Sequence, residues 1–103
     1  MNEPAVLELE LPLERFNMVA AGLQFVIGRP DTEEWLYLLW GKHFDEVLCR
    51  CGDMTARIKC KRVYYDDHIK LNKWRIELGK VIATENWGEA NPVDIILEST
   101  VLG

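Results

Sequence analysis

Three cysteines and a histidine are the residues best suited to metal chemistry in this chain of 103 residues. Thiolate sulfur and imidazole nitrogen are ligands that zinc accepts, and the set is His43, Cys49, Cys51 and Cys60. Their spacing matches no usual zinc motif. Free cysteine is also among the residue types most often buried, so we interpret the three thiols as core residues. We therefore predict neither a metal site nor a cofactor.

Other catalytic arrangements lack the residues that they need. The sole serine is Ser99, and neither histidine is near it in the sequence, which argues against a serine nucleophile. The acidic pairs at 33–34 and 66–67 lie where a helix start and a turn need them, although His68 adjoins the second pair. The glycines are scattered singly, without a phosphate-binding loop. We predict that the protein is not an enzyme.

A β-hairpin with a basic outer face is predicted between Glu46 and Val63, where apolar residues alternate on either side of a turn at 52–55. A four-residue loop there gives three cross-strand pairs, which are Cys51 with Ala56, Cys49 with Ile58, and Val47 with Cys60. The opposite face then carries the cations, with a tyrosine near them: Arg50, Arg57, Lys59, Lys61 and Tyr64.

This basic face allows two functions other than a plain solvated surface. Cations with nearby aromatic rings are typical of proteins that bind single-stranded nucleic acid. The net charge of −5 and the pI near 5.0 make such binding an alternative rather than the favoured function. Glu8 and Glu10 could also pair with these cations across the sheet. A further alternative is an acidic mimic of nucleic acid that binds a basic protein through Glu8, Glu10, Glu33, Glu34, Asp45 and Glu46.

Trp87 stands at the centre of a polar segment, 85–92, that is dense in turn-forming residues. The indole either folds back over the sheet or stands out as a binding anchor, and the sequence leaves both open. If Trp87 is exposed, Asn86, Trp87 and Glu89 form the centre of a protein-recognition patch, because tryptophan is enriched where binding energy concentrates.

The elements of the N-terminal half follow from periodicity. Residues 5–11 alternate as a strand. Helical spacing then follows at Leu13, Phe16, Ala20, Leu23 and Ile27, but Gly22 and the β-branched residues 26–27 favour a helix that ends near Gly22. Asp31 has the form of an N-cap for a helix over 35–40 that Gly41 ends. The rival interpretation pairs 24–28 with 34–40 as a hairpin.

Strands dominate the C-terminal half. Residues 62–65 extend the second hairpin strand, and a turn at 66–68 leads to a strand over 69–78 with a bulge near 72–73. That strand continues through 81–84, and 93–97 forms a last strand that could pair with a second copy of the chain as an edge.

These elements predict a single compact domain over residues 1–103, of class α+β: an antiparallel sheet of about five strands with one or two short helices on one face. An all-β meander or small barrel is the alternative. No run is long and apolar enough for a membrane span, residues 1–4 lack secretory-signal features, and the cysteine count is odd, so we expect a cytoplasmic protein. With four tryptophans, we expect a small module that binds another protein, with a homo-oligomer possible.

Overall fold

A computed structural model describes residues 3–87 of the chain. Their elements, in chain order, are β1 (Val6–Glu10), α1 (Leu13–Ala20), β2 (Val26–Arg29), α2 (Glu33–Leu39), β3 (Glu46–Cys51), β4 (Met54–Tyr65) and β5 (Trp74–Glu85). The strands form one sheet in the order β1-β3-β4-β5-β2. β1 and β3 are parallel, and the other neighbours are antiparallel. The α+β class is confirmed in outline, although strands dominate and the sheet curls into a half-barrel.

The core lies on one face of this sheet, which we call the inner face. Every strand contributes alternate residues to it, because successive side chains of a strand point to opposite sides. α1 covers part of this face with Phe16 and Val19, and α2 adds Leu39. The buried strand residues are Leu7, Leu9, Ile27, Val47, Cys49, Ala56, Ile58, Cys60, Trp74, Ile76 and Leu78. Fully burying one such aliphatic side chain is worth about 1.5–3 kcal/mol, so this face supplies most of the stabilisation.

The first strand and the first helix are confirmed. β1 alternates as predicted, with its leucines buried and Glu8 and Glu10 exposed. α1 ends at Ala20, and Gly22 follows with φ of +76°, a conformation that glycine adopts without a steric penalty. The predicted apolar stripe was too wide, since Leu13 and Leu23 are exposed. Leu23 lies beyond the last helical residue, so helical periodicity does not apply to it.

The hairpin of β3 and β4 is confirmed, but its predicted register was wrong by two residues. The observed pairs are Cys51 with Met54, Cys49 with Ala56, and Val47 with Ile58. The loop is therefore the two residues Gly52 and Asp53, and Gly52 has φ of +61°, as the first position of a tight type II′ turn requires. A shift of two residues keeps every side chain on its predicted face.

The helical alternative for the apolar run before Gly41 is confirmed, and the rival hairpin is wrong. α2 spans this run, and β2 pairs with β5 instead. The N-cap is Thr32 rather than Asp31, since the Thr32 hydroxyl accepts a hydrogen bond of 3.4 Å from Trp35 N. Asp31 instead accepts a hydrogen bond of 2.8 Å from the Tyr65 hydroxyl.

The long second strand and the turn after it are confirmed, whereas the start and the bulge of the next strand are not. β5 begins at Trp74, and residues 69–73 lie outside it. Asn72, at φ of +54°, is in the left-handed region, which a regular strand cannot contain. The irregular pairing occurs further along, at three register shifts between β4 and β5 from Arg57 to Arg62. β5 continues to Glu85, as predicted past Gly79.

The predicted strand at 93–97 and most of the predicted loop at 85–92 lie outside the described residues. Between residues 3 and 87, neither helix has the length and apolar character needed to cross a bilayer.

Candidate functional site

The structure does not assemble a metal site from the four residues of the types that zinc would accept, His43, Cys49, Cys51 and Cys60. Cys49 and Cys60 are buried in the core, while His43 is exposed and contacts Asp45 at 3.1 Å. Burial raises the pKa of the Cys49 thiol to about 11, and burial together with the nearby Asp45 carboxylate raises that of Cys60. Both thiols are thus held in the neutral form, which is a poor metal ligand. Across residues 3–87 no three of the residues His, Cys, Asp or Glu are placed to hold a metal ion.

The basic outer face is confirmed as an exposed surface, but it carries both signs of charge. Arg50 lies 3.2 Å from Glu8, as the sequence suggested, and Arg57 donates to Glu46 at 2.6 Å. Next to them, Arg62 donates to Glu77 at 2.7 Å, which lowers the pKa of that carboxyl. Three carboxylates therefore offset three of the cations that would otherwise attract phosphate groups.

Two lysines of this face and a tyrosine complete it. In the described range, Lys59 and Lys61 form no ion pair with a carboxylate. Tyr64 is half-buried, with the guanidinium carbon of Arg62 at 4.2 Å from its ring centroid. That guanidinium covers one face of the ring, which closes this face to a stacking nucleotide base.

Trp87 folds back towards the core, which is the first of the two arrangements left open by the sequence. Its ring is half-buried against the core cluster, and its Nε1 donates a hydrogen bond of 3.0 Å to Oδ1 of the buried Asn17 in α1. The neighbouring Asn86 donates to the carbonyl of Asp53 at 2.8 Å, which ties the end of β5 to the hairpin turn. The patch predicted at Asn86, Trp87 and Glu89 required an exposed indole, and Glu89 lies outside the described residues.

Four large exposed apolar residues follow one another closely in and just after α2. Of its seven residues only Leu39 is buried. Tyr37 is 83% exposed and Trp40, the C-cap, is 70% exposed. We define the α2 surface as the four exposed apolar residues Leu36, Tyr37, Leu38 and Trp40.

An open groove of about 550 Å³ runs along part of the α2 surface. Its apolar lining comes from Leu36, Tyr37 and Trp40, with Glu33 and Lys42 as the charged lining residues. Lys42 Nζ lies 5.7 Å from the centroid of the Tyr37 ring. The groove therefore combines two large aromatic side chains with one charge of each sign. Aromatic residues are enriched at protein interfaces.

Sequence reasoning placed 35–40 in a helix but did not identify it as a binding surface. A signal was available in the run Trp35-Leu36-Tyr37-Leu38-Leu39-Trp40, which is apolar on all sides of the helix. A helix on the surface of a sheet can bury only one side. A helical run that is apolar on every side must therefore expose some of its large side chains.

No protein-family model, no curated protein and no solved structure matches this chain.

Proposed function

We propose that this protein is a small non-enzymatic module that binds another protein through the α2 surface. The observation that carries the proposal is the exposure of Tyr37, in the last turn of α2, together with that of Trp40, its C-cap. Tyrosine and tryptophan are the residue types in which the binding energy of interfaces concentrates. Exposed apolar side chains raise the free energy of the free protein in water. Burying them against a partner lowers the free energy of the complex.

The partner that fits the groove is an amphipathic segment of another protein. Its apolar side chains would pack on Leu36, Tyr37 and Trp40. The charged lining residues add specificity, because a basic residue of the partner would meet Glu33 and an acidic one would meet Lys42. This surface replaces the loop around Trp87 as the place of contact.

The alternatives have less support. Nucleic-acid binding would need the outer face to be strongly positive, and its arginines Arg50, Arg57 and Arg62 each contact a carboxylate. The acidic mimic would need free carboxylates, yet Glu8 and Glu46 belong to those same pairs. We therefore favour an apolar contact over an electrostatic one.

The test is capture of partners from a lysate of the host by wild-type protein and by two alanine variants, read by mass spectrometry. Trp40→Ala removes the largest exposed ring of the α2 surface. Leu71→Ala is the matched control, because Leu71 is 80% exposed but lies in the loop before β5. We expect a protein that binds wild type and Leu71→Ala, with about 30-fold weaker binding to Trp40→Ala, as for a residue that contributes about 2 kcal/mol.

Two results would overturn the proposal. The first is capture that is the same for Trp40→Ala and Leu71→Ala. The second is a concentration-dependent dimer of the purified protein that Trp40→Ala abolishes, since a second copy would then occupy the α2 surface. Light scattering of the purified protein, done before the capture experiment, separates these two results.

A further inference from the structure

The two edge strands of the sheet differ in how their outward-facing backbone groups are used. β1 and β2 lie at opposite edges, and in the described range each pairs with a single neighbour. In an edge strand, every second residue turns its backbone N–H and C=O groups away from the sheet. A strand of another chain can pair with such groups, so their partners decide whether an edge can be extended.

On the free edge of β2, the outward carbonyl groups are occupied by nearby side chains. The Phe25 carbonyl accepts a hydrogen bond of 2.8 Å from β5, so by alternation the carbonyls of Val26 and Gly28 face outward. Gln24 Nε2 donates to the Val26 carbonyl at 2.9 Å. Arg29 Nη1 donates to the Gly28 carbonyl at 2.8 Å. These two side chains protect the β2 edge from pairing with another strand.

The free edge of β1 has no such protection among residues 3–87. The Ala5 carbonyl accepts a hydrogen bond of 3.2 Å from β3, and Leu11 N donates one of 2.9 Å to β3. The odd-numbered residues of this segment therefore face β3. The even-numbered residues Val6, Glu8 and Glu10 turn their N–H and C=O groups outward. Within the described part of the chain, no side chain bonds to these groups.

Prolines stand at both ends of this free edge. Pro4 and Pro12 are also even-numbered, two positions before Val6 and two positions after Glu10. Proline has no N–H, and an edge strand tolerates it where its nitrogen faces away from the ladder. Pro12 has an extended backbone, with φ of −64° and ψ of 156°. The free edge therefore has a defined length, which suits a partner segment of about five residues.

Charge on the outer face selects among the segments that could pair with this edge. Glu8 and Glu10 are exposed, and Glu10 forms no ion pair with another residue of 3–87. Like charges opposite each other across a ladder destabilise the pairing. Two β1 strands would place carboxylates beside carboxylates. Residues 88–103 contain three acidic residues and neither lysine nor arginine. Charge therefore disfavours a second copy and the chain's own C-terminal residues, and it favours a basic segment.

We propose that the free edge of β1 binds an extended segment of another protein in which basic residues alternate with apolar ones. The backbone of that segment pairs with the outward groups of Val6, Glu8 and Glu10. Its basic side chains lie beside the two glutamates, and its apolar side chains extend the inner face beyond Leu7 and Leu9. Backbone hydrogen bonds supply the affinity, and the charges select the sequence.

The test is a titration of the ¹⁵N-labelled full chain with a blocked peptide of about seven residues in which lysine alternates with valine, long enough to span the free edge. Amide hydrogen exchange is followed by NMR. In the free protein, the amides of Val6, Glu8 and Glu10 should exchange fast and those of Leu7 and Leu9 slowly. The peptide should slow the first set at least about tenfold and leave the second set nearly unchanged.

Three further peptides separate backbone pairing from charge. A peptide with glutamate in place of lysine should bind at least about tenfold more weakly, because its carboxylates meet those of β1. The other two are lysine peptides that are N-methylated either at every lysine or at every valine. Only one of these should bind, since one set of N–H groups faces β1 and the other faces away. The one that binds shows whether the segment is parallel or antiparallel to β1.

Three variants of the protein locate the site. Glu8→Pro removes an outward N–H but no hydrogen bond to β3, and it should weaken binding of the lysine peptide about tenfold. Glu8→Ala is the matched control, because it keeps the N–H, and it should weaken binding less than about threefold. Glu10→Lys should remove the preference for the lysine peptide over the glutamate peptide. If Glu8→Pro does not fold, the N-methylated peptides test the same hydrogen bonds.

The proposal is wrong if the amides of Val6, Glu8 and Glu10 are already protected in the free protein. Protection that does not change on dilution would show that the chain's own residues occupy the edge, and protection that is lost on dilution would show a second copy there. Equal binding of the lysine and glutamate peptides, or of the two N-methylated peptides, would also overturn it. None of these results affects the proposed function, because the α2 surface contains no residue of β1.

Discussion

The hydrogen bond from Trp87 to Asn17 joins side chains that are 70 positions apart. It holds Trp87, which follows β5, against α1. It also explains why the polar Asn17 can be buried in the middle of that helix. A buried side-chain amide costs free energy unless it is hydrogen-bonded. Asn17 and Trp87 therefore depend on each other.

This dependence predicts a measurable coupling in the free energy of unfolding. Asn17→Ala should destabilise the protein by about 1–2 kcal/mol, because it leaves the half-buried indole N–H without its acceptor. Trp87→Phe removes the donor but keeps an apolar ring. The double variant should cost less than the sum of the two, by about 1 kcal/mol, in urea denaturation.

The matched control is Trp40→Phe, which changes an exposed tryptophan in the same way and should alter stability by less than about 0.5 kcal/mol. Strict additivity of Asn17→Ala and Trp87→Phe would show that the hydrogen bond contributes nothing.

Contacts between side chains that are distant in the sequence were the hardest feature to predict. Nothing near Trp87 in the sequence indicates Asn17 as its partner, so two orientations of the ring remained open. The same holds for Arg29, whose neighbours Trp35 and Trp74 come from different elements. Local periodicity identifies the face of an element but not the residue that it meets across the core.

At the scale of elements, the tight turn between β3 and β4 depends on Gly52. Its φ of +61° is in the left-handed region, which costs an L-residue with a side chain about 1–2 kcal/mol. No atom other than those of its chain neighbours lies within 4 Å of a Cβ added there, so strain of the backbone and not a clash sets the effect. Gly52→Ala should therefore lower the free energy of unfolding by about 1–2 kcal/mol.

Gly52→Asn distinguishes backbone strain from any other effect of a side chain at this position. Asparagine tolerates the left-handed region better than alanine, so it should recover part of the loss in thermal or urea denaturation. Equal destabilisation by both substitutions would contradict the assignment of the turn.

The helices and strands with clear patterns of apolar residues could be predicted, but the exact pairing of residues between strands could not. β1, α1 and the hairpin strands follow from the spacing of apolar residues. The run that forms α2 has no such spacing, so its helix was predicted from the capping residue before it and Gly41 after it, against a rival hairpin. The predicted hairpin register was wrong because two loops are compatible with the same alternation. A two-residue loop at Gly52-Asp53 and a four-residue loop at 52–55 place the same side chains on the apolar face, so the alternation does not distinguish them. The start of β5 was wrong because Ile69 and Leu71 alternate like a strand, although Leu71 is exposed in a loop.

At the scale of the molecule, the chain places its two short edge strands around a central meander. β3, β4 and β5 are consecutive and antiparallel, whereas β1 and β2 come from the N-terminal half and lie at opposite edges. α1 therefore links one edge of the sheet to the other, and α2 links the second edge back to the centre. The two helices have nearly equal length but bury different amounts of apolar surface.

This difference predicts unequal stability of the two helices. α1 buries Phe16, Val19 and Ala20, whereas α2 buries only Leu39. Helices of seven or eight residues are unstable alone, so packing decides how often each opens. Two fewer buried apolar side chains are worth about 3 kcal/mol, which corresponds to roughly 100-fold faster amide hydrogen exchange in α2 once intrinsic rates are removed.

Amide hydrogen exchange followed by NMR measures both helices in one sample, with α1 as the internal control and the β4 amides of Ile58 and Cys60 as the slowest reference. Equal protection of α1 and α2 would show that the α2 surface is already stabilised within the chain, and it would remove the reason to expect a partner there. If amide exchange in α2 is fast in the free protein and slows when a captured partner is added, the partner binds and stabilises α2. A helix held only by the buried Leu39 and the half-buried Trp35 can adjust its position until Tyr37 and Trp40 are covered, so binding would supply packing that the fold itself does not.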